Sequence, residues 1–244
     1  MIITSVNNEL VKETTKLLRV KGRDETGLFL VEGAKGIQEA LDFGLEVVHI
    51  FSTTGFEDLP QRIETNEAVL SKISDAKTYP KAVAVVKQPV QDINLIKNMK
   101  KVVLLEGIKD AGNLGTILRT AAAFNIDGIV LFGDTVDLYN PKCVRSTVGN
   151  LWKIPVFSIK DFKKLSDIFD GFERVATLPT GKNVIRLSDY TPADKVLMMF
   201  GSEADGLSEE LKNFAAKNLT IEMAENVESL NLSVSAAIIM YRLQ

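Results

Sequence analysis

From Lys101 onward the sequence alternates short apolar runs with helical stretches, and that alternation restricts the fold more than any other feature. Residues 102–105, 128–132, 154–158, 174–178, 196–200 and 219–222 read as strands. Helices are expected over 114–125, 141–150, 160–169, 208–216 and 232–243. Repeated strand–helix units imply a mostly parallel sheet with both faces covered. Ligands of such sheets sit at the carboxyl ends of strands. The loops around Asn113, Gly201 and Leu230 fall at that edge, so three loops can converge on one pocket.

The part before Lys101 has a different rhythm. Residues 5–23 read as one helix, with Leu10, Val11, Leu17 and Leu18 on its apolar side. Lys12, Lys16, Arg19 and Arg23 fall within a sector of roughly 60° on the other side, at about 100° per residue. Such a stripe is either a solvated helix face or a set of phosphate contacts for RNA. Strands are expected at 28–31, 47–51 and 82–86, and helices at 34–43 and 61–75. Together, 1–88 read as a self-contained α/β module, and 89–100, with Pro89 and mixed polar residues, as a linker. The remainder, 101–244, forms the second domain.

Several chemistries are excluded. One cysteine and one histidine leave no disulfide and no Cys/His zinc site, so no metal is expected, and a reducing cytoplasm fits. No apolar run reaches membrane-spanning length. A net charge of −3 argues against non-specific coating of nucleic acid but permits a local basic patch. None of the sixteen glycines forms a Gly-x-Gly pair, which removes the Rossmann dinucleotide fingerprint, and no Gly-Lys-Ser/Thr P-loop occurs. His49 lies in an apolar strand and reads as structural. Cys143 has no general-base histidine beside it.

Asn113, Arg119, Glu203, Ser229 and Asn231 remain. Each has a local explanation when taken singly. Asn113 suits the N-cap of the helix that carries Arg119, and Ser229 and Asn231 suit the cap of the last helix. Glu203 suits a helix N-terminus through the macrodipole, and Arg119 suits a surface ion pair. Arg119 shares a helix face with Gly115, Ala122 and Ala123, so nothing bulky crowds its guanidinium.

Taken together the three segments carry a resemblance. Asn113-Leu114-Gly115-Thr116-Ile117-Leu118-Arg119-Thr120-Ala121, Gly201-Ser202-Glu203-Ala204-Asp205-Gly206 and Ser229-Leu230-Asn231-Leu232-Ser233-Val234 resemble, in order and spacing, the three motifs of the SpoU (TrmH-like) RNA ribose methyltransferases of the SPOUT superfamily. Ala111 and Ala122 stand at variable places of the first motif. Phe29-Leu30-Val31-Glu32-Gly33 resembles the family's L30e-like substrate-binding module.

The resemblance implies an α/β domain whose C-terminal segment threads a trefoil knot, and a homodimer formed through that domain. It implies S-adenosylmethionine as cofactor, held around Leu197, Met199, Phe200, Gly201, Ile221 and Leu230. Arg119 would be the catalytic residue at a ribose 2′-hydroxyl, with Asn113, Glu203, Ser229 and Asn231 positioning it, the cofactor and the substrate. Lys12, Lys16, Arg19 and Arg23 would contact RNA. The expected substrate is ribosomal RNA, with transfer RNA as the alternative and a non-catalytic RNA-binding scaffold as the rival class. Ser233, Ala236, Ala237 and Met240 form a small-residue face on the last helix, suited either to a partner subunit or to the parent sheet.

Overall fold

The computed structural model describes residues 1–179, 183–224, 226–227 and 229–244. In chain order the elements begin β1 (Ile2–Ile3), α1 (Glu9–Lys16), α2 (Val20–Thr26), β2 (Leu28–Glu32), α3 (Ala34–Asp42), β3 (Val47–Ser52), β4 (Arg62–Thr65), α4 (Glu67–Lys72) and β5 (Ala82–Lys87). They continue β6 (Lys101–Glu106), α5 (Ala111–Ala123), β7 (Gly128–Phe132), α6 (Pro141–Ser146), β8 (Val156–Ile159), α7 (Phe162–Ile168), β9 (Glu173–Thr177), β10 (Val184–Arg186), β11 (Val196–Phe200), α8 (Glu209–Phe214), β12 (Lys217–Thr220) and α9 (Leu232–Arg242). The chain divides into two compact units. One is Met1–Val90 with Asp137–Trp152, and the other is Gln91–Val136 with Lys153–Gln244.

The first unit holds a five-stranded sheet in the order β1-β4-β3-β5-β2, with β5 antiparallel to both of its neighbours. Leu30, Phe51, Ile63, Val83 and Val85 pack from the sheet against Val11, Leu17, Val69 and Leu70 of the helical layer. Fully burying a side chain of this size contributes about 1.5–3 kcal/mol.

Two sequence expectations fail in this unit. The helix expected over 61–75 is strand β4 followed by α4. Arg62-Ile63-Glu64-Thr65 alternates outward positions (Arg62 half-buried, Glu64 exposed) with buried ones, pairs in parallel with β3 and β1, and ends where the Asn66 side chain caps α4. The helix expected over 5–23 breaks in two. The Leu17, Leu18 and Arg19 amides bond back three residues, and Arg19 turns extended. Gly22 then lets α2 pass against the end of α1, because a Cβ there would stand 2.3 Å from the Lys16 carbonyl oxygen.

The domain boundary also differs from the expected one, which kept all of 101–244 together. Asp137–Trp152 belongs to the first unit. Polar and aromatic contacts hold it: Arg23 pairs with Asp137 at 2.5 Å, Tyr139 lies on Phe29 with ring centroids 4.6 Å apart, and Arg145 bonds Glu32 at 2.9 Å.

The second unit is a seven-stranded sheet in the order β10-β12-β9-β11-β6-β7-β8, parallel at every pairing. β7 and β11 are buried at every residue, as a sheet covered on both faces requires. β10 was not legible as a strand; its three residues are exposed or half-buried. α9 packs on α5. Ser233, Ala236 and Met240 are buried within the unit, so most of the small-residue face is used on the parent domain. The opposite side of α9 carries Val234, Ile238 and Tyr241, exposed to 46%, 38% and 66%.

Candidate functional site: a hydrogen-bonded row beside a deep cleft

The carboxyl ends of β9, β11 and β12 open into a cleft of about 850 Å³, within the range of about 300–1,000 Å³ usual for small-molecule sites. Its wall is mixed. Phe200, Leu219, Ile221 and Leu230 supply apolar surface, while Thr177, Ser202, Glu203, Ser229 and Asn231 supply polar groups. The loop after β11 is tightly folded. Ser202 and Gly206 exchange backbone hydrogen bonds of 3.2 and 3.0 Å, and the Asp205 amide donates to the Ser202 hydroxyl. Gly201 is required there, since a Cβ would lie 1.9 Å from the Gly206 carbonyl carbon.

Asn113 does not cap α5, as the sequence suggested. The helix starts three residues earlier than the expected 114, and Asp110 is its cap, accepting from the Asn113 amide at 2.8 Å. The Asn113 side chain is therefore free to bond elsewhere. Its Nδ2 donates to Glu203 Oε1 at 2.5 Å, and its Oδ1 accepts from Asn231 Nδ2 at 3.2 Å. Asn231 does cap α9: its Oδ1 accepts from the Ser233 amide at 2.9 Å and from the Ser233 hydroxyl at 2.6 Å. Because three donors surround that oxygen, the amide cannot flip without losing them, so Nδ2 is directed at Asn113. Donor and acceptor then alternate along the row Ser233–Asn231–Asn113–Glu203, joining all three sequence segments through side chains.

The other expected site residues divide. Ser229 lines the cleft. Arg119 is exposed, makes no hydrogen bond or ion pair among the described residues, and is outside the cleft wall. It lies six residues from Asn113, about 9 Å further along α5. Phe200, Gly201, Ile221 and Leu230 line the cleft, whereas Leu197 and Met199 point into the apolar core and do not. Met199 takes part only through its carbonyl, which accepts from the Thr177 hydroxyl at 2.9 Å. Thr177, Thr220 and Met223 also line the cleft and were missed, because nothing local in the sequence marks a strand end as a wall.

The basic stripe loses one member, and two of the others are paired. Lys12 and Lys16 are tied to Glu9 and Glu13, and Arg23 is buried, 2% exposed, between Asp137 and the Leu17 carbonyl. Of the four, only Arg19 is exposed without an ion pair among the described residues. Cys143 is buried, which pushes its thiol up to about 12, far from nucleophilic. Burial lowers the His49 imidazole from its ordinary value. Among the described residues no cluster of metal-ligating side chains occurs, and no helix is long and apolar enough to cross a membrane.

An open parallel sheet with a loop-walled cleft at its carboxyl edge defines a small-molecule-binding α/β domain. Within that class, the chain belongs to the SpoU rRNA Methylase family, whose model matches residues 100–241. Residues 8–84 match an MRM3-like substrate binding domain. The chain is 30% identical to an uncharacterised tRNA/rRNA methyltransferase of Synechocystis, over 98% of this chain and 92% of that protein. It is 29% identical to the 23S rRNA (guanosine(2553)-2′-O)-methyltransferase RlmP of Bacillus subtilis, over 99% and 98%. The crystal structure of an AdoMet-bound rRNA methyltransferase from Sinorhizobium meliloti superposes with a TM-score of 0.89 at 28% identity, covering 99% of this chain and 96% of that one.

Proposed function

We propose that this protein transfers a methyl group from S-adenosylmethionine to a ribose 2′-hydroxyl of ribosomal RNA. The observation that carries the reading is the side-chain row Glu203–Asn113–Asn231 at the edge of the cleft, built from the first turn of α5, the loop after β11 and the cap of α9. The family match and the 2′-O-methyltransferase relatives support it.

The cleft suits the cofactor. Its apolar side chains accept a nucleoside base, and its hydroxyls and amides suit the ribose and the amino-acid end. When bound, the cofactor supplies a methyl group already activated on a cationic sulfur, so no metal is needed. The protein's task is then to hold an alcohol oxygen in line with the methyl and to manage its proton. Glu203, fixed by Asn113, presents a carboxylate at the edge of the cleft, and Ser229 a hydroxyl. Arg119 is assigned the reacting end of the substrate. Its guanidinium either orients a neighbouring phosphate and stabilises developing charge, or takes part in removing the proton, a demanding role for a guanidinium.

The functional form is a homodimer through the second unit, in the family's knotted arrangement. The exposed Val234, Ile238 and Tyr241 on α9 are the surface that supports this. Work on ribosomal RNA assigns the protein to the cytoplasm.

Two measurements test the function. Titration calorimetry with S-adenosylmethionine should show binding, and mapping of 2′-O-methyl groups in RNA from a deletion strain should show one ribosomal site lost. A methyl lost from transfer RNA instead would move the substrate. No cofactor binding at millimolar concentration, with no methyl lost, would leave an RNA-binding scaffold.

A further inference from the structure

In the first unit most cations are already partnered by acids of the same unit. Lys12, Lys16, Lys21 and Lys87 each pair with a glutamate, and Arg62 with Glu57 and Glu64. Four exposed lysines differ: Lys35, Lys72, Lys77 and Lys81 have no ion pair among the described residues. The topology brings them to one end of the sheet. Lys81 immediately precedes β5, and its carbonyl accepts from the Thr53 amide just past the end of β3. Lys35 stands in the first turn of α3, two residues after Gly33, whose amide bonds the Ala82 carbonyl. Lys72 ends α4, and Lys77 lies in the loop that returns from it to β5.

The acids of that return segment are engaged. Asp75 bonds Arg145, and Glu67 bonds the Tyr79 hydroxyl, which raises the Tyr79 pKa. Arg145 is itself held between Asp75 and the buried Glu32 carboxylate, so it braces the rim and does not supply a fifth free cation. A lysine without a protein partner keeps its condensed charge available for a phosphate, whereas a paired one must first give up its carboxylate.

We propose that this end of the sheet, with Lys35, Lys72, Lys77 and Lys81, is the surface that takes the phosphates of the RNA substrate, in place of the α1–α2 stripe. The proposal rests on the RNA methyltransferase reading above. Exposed lysines without carboxylate partners suit contacts to the phosphate backbone, which orient a folded RNA without reading its bases.

The test is salt-dependent binding of the full-length protein to a 23S rRNA transcript. The variant replaces Lys35, Lys72, Lys77 and Lys81 with Gln; the control replaces the paired Lys12, Lys16 and Lys21 with Gln. Each phosphate contact contributes a slope of roughly 0.7–0.9 in log K against log salt. The fourfold variant should lose about 3–3.5 in slope and at least about tenfold in affinity, with cofactor binding unchanged, while the control stays within about twofold. Should the fourfold variant fold poorly, the pairs Lys35/Lys72 and Lys77/Lys81 are tested separately, and each should lose about half the slope. An unchanged slope, or an equal loss in the control, overturns the proposal. RNA methylation persisting at wild-type rate in such a variant would leave the enzyme reading intact, whereas a wild-type protein that neither binds nor methylates RNA would remove both.

Discussion

Arg23→Met should destabilise the first unit and should not act as the loss of an RNA contact. The Arg23 side chain is 2% exposed; it bonds Asp137 at 2.5 Å and donates to the Leu17 carbonyl at 2.7 Å. Met keeps most of the apolar stem and removes the charge. Breaking a buried ion pair by deleting one partner costs about 3–5 kcal/mol. Asp137 is 23% exposed and regains some water, which brings that term down to about 2–3 kcal/mol. The Leu17 carbonyl loses a charged donor, adding about 1 kcal/mol. The total is about 3–4 kcal/mol.

The single tryptophan, Trp152, lies in the same unit and serves as the fluorescence probe. With a urea dependence of about 1.5 kcal/mol per molar, the fluorescence midpoint should fall by about 2–2.7 M. Asp137→Asn should cost less, and a double-mutant cycle should show strong coupling. A midpoint unchanged in Arg23→Met, together with a lower salt slope for RNA binding, would refute the reasoning and return Arg23 to the phosphate-contacting role that the helical wheel suggested.

Arg119→Ala should lower single-turnover methyl transfer by at least about a hundredfold while leaving the fold and cofactor affinity intact, because the side chain is exposed and has no ion pair among the described residues. Arg119→Lys separates the roles: a severe loss implies the planar fork, substantial rescue implies charge alone. Gly201→Ala should weaken cofactor binding at least about tenfold by calorimetry, since its methyl has to displace the Gly206 backbone and with it the Glu203 loop; binding within twofold of wild type would show that the loop yields cheaply. Ile238→Glu on α9 should convert a dimer to a monomer in sedimentation at micromolar concentration, with helix content unchanged; a wild-type protein that sediments as a monomer would remove the dimer altogether.

The layer architecture of the second unit and the positions of its motifs are legible in local sequence pattern. Its strands are uniformly apolar because a parallel sheet is covered on both faces, and that signal is local. The sequence also marked Asn113, Glu203 and Asn231, as members of a family pattern. What it could not give was their bonding. Asn113 is a good cap by residue type, yet Asp110 lies three residues upstream and takes that place, and only then does the Asn113 amide become the bridge between residues 90 and 118 positions away.

Arg23 shows the same limit from the other side. Its helical phase was reasonable while residues 5–23 were one helix. The break after Lys16 and an aspartate 114 residues later turned a surface cation into a buried one. Leu197 and Met199 went into the core because alternate residues of a strand face opposite layers, and which layer borders the cleft is settled only by the neighbouring strands and helices. Local pattern fixes which residues form an element. Partner, burial and the direction of an amide depend on contacts between distant segments, and those exist only in the folded chain.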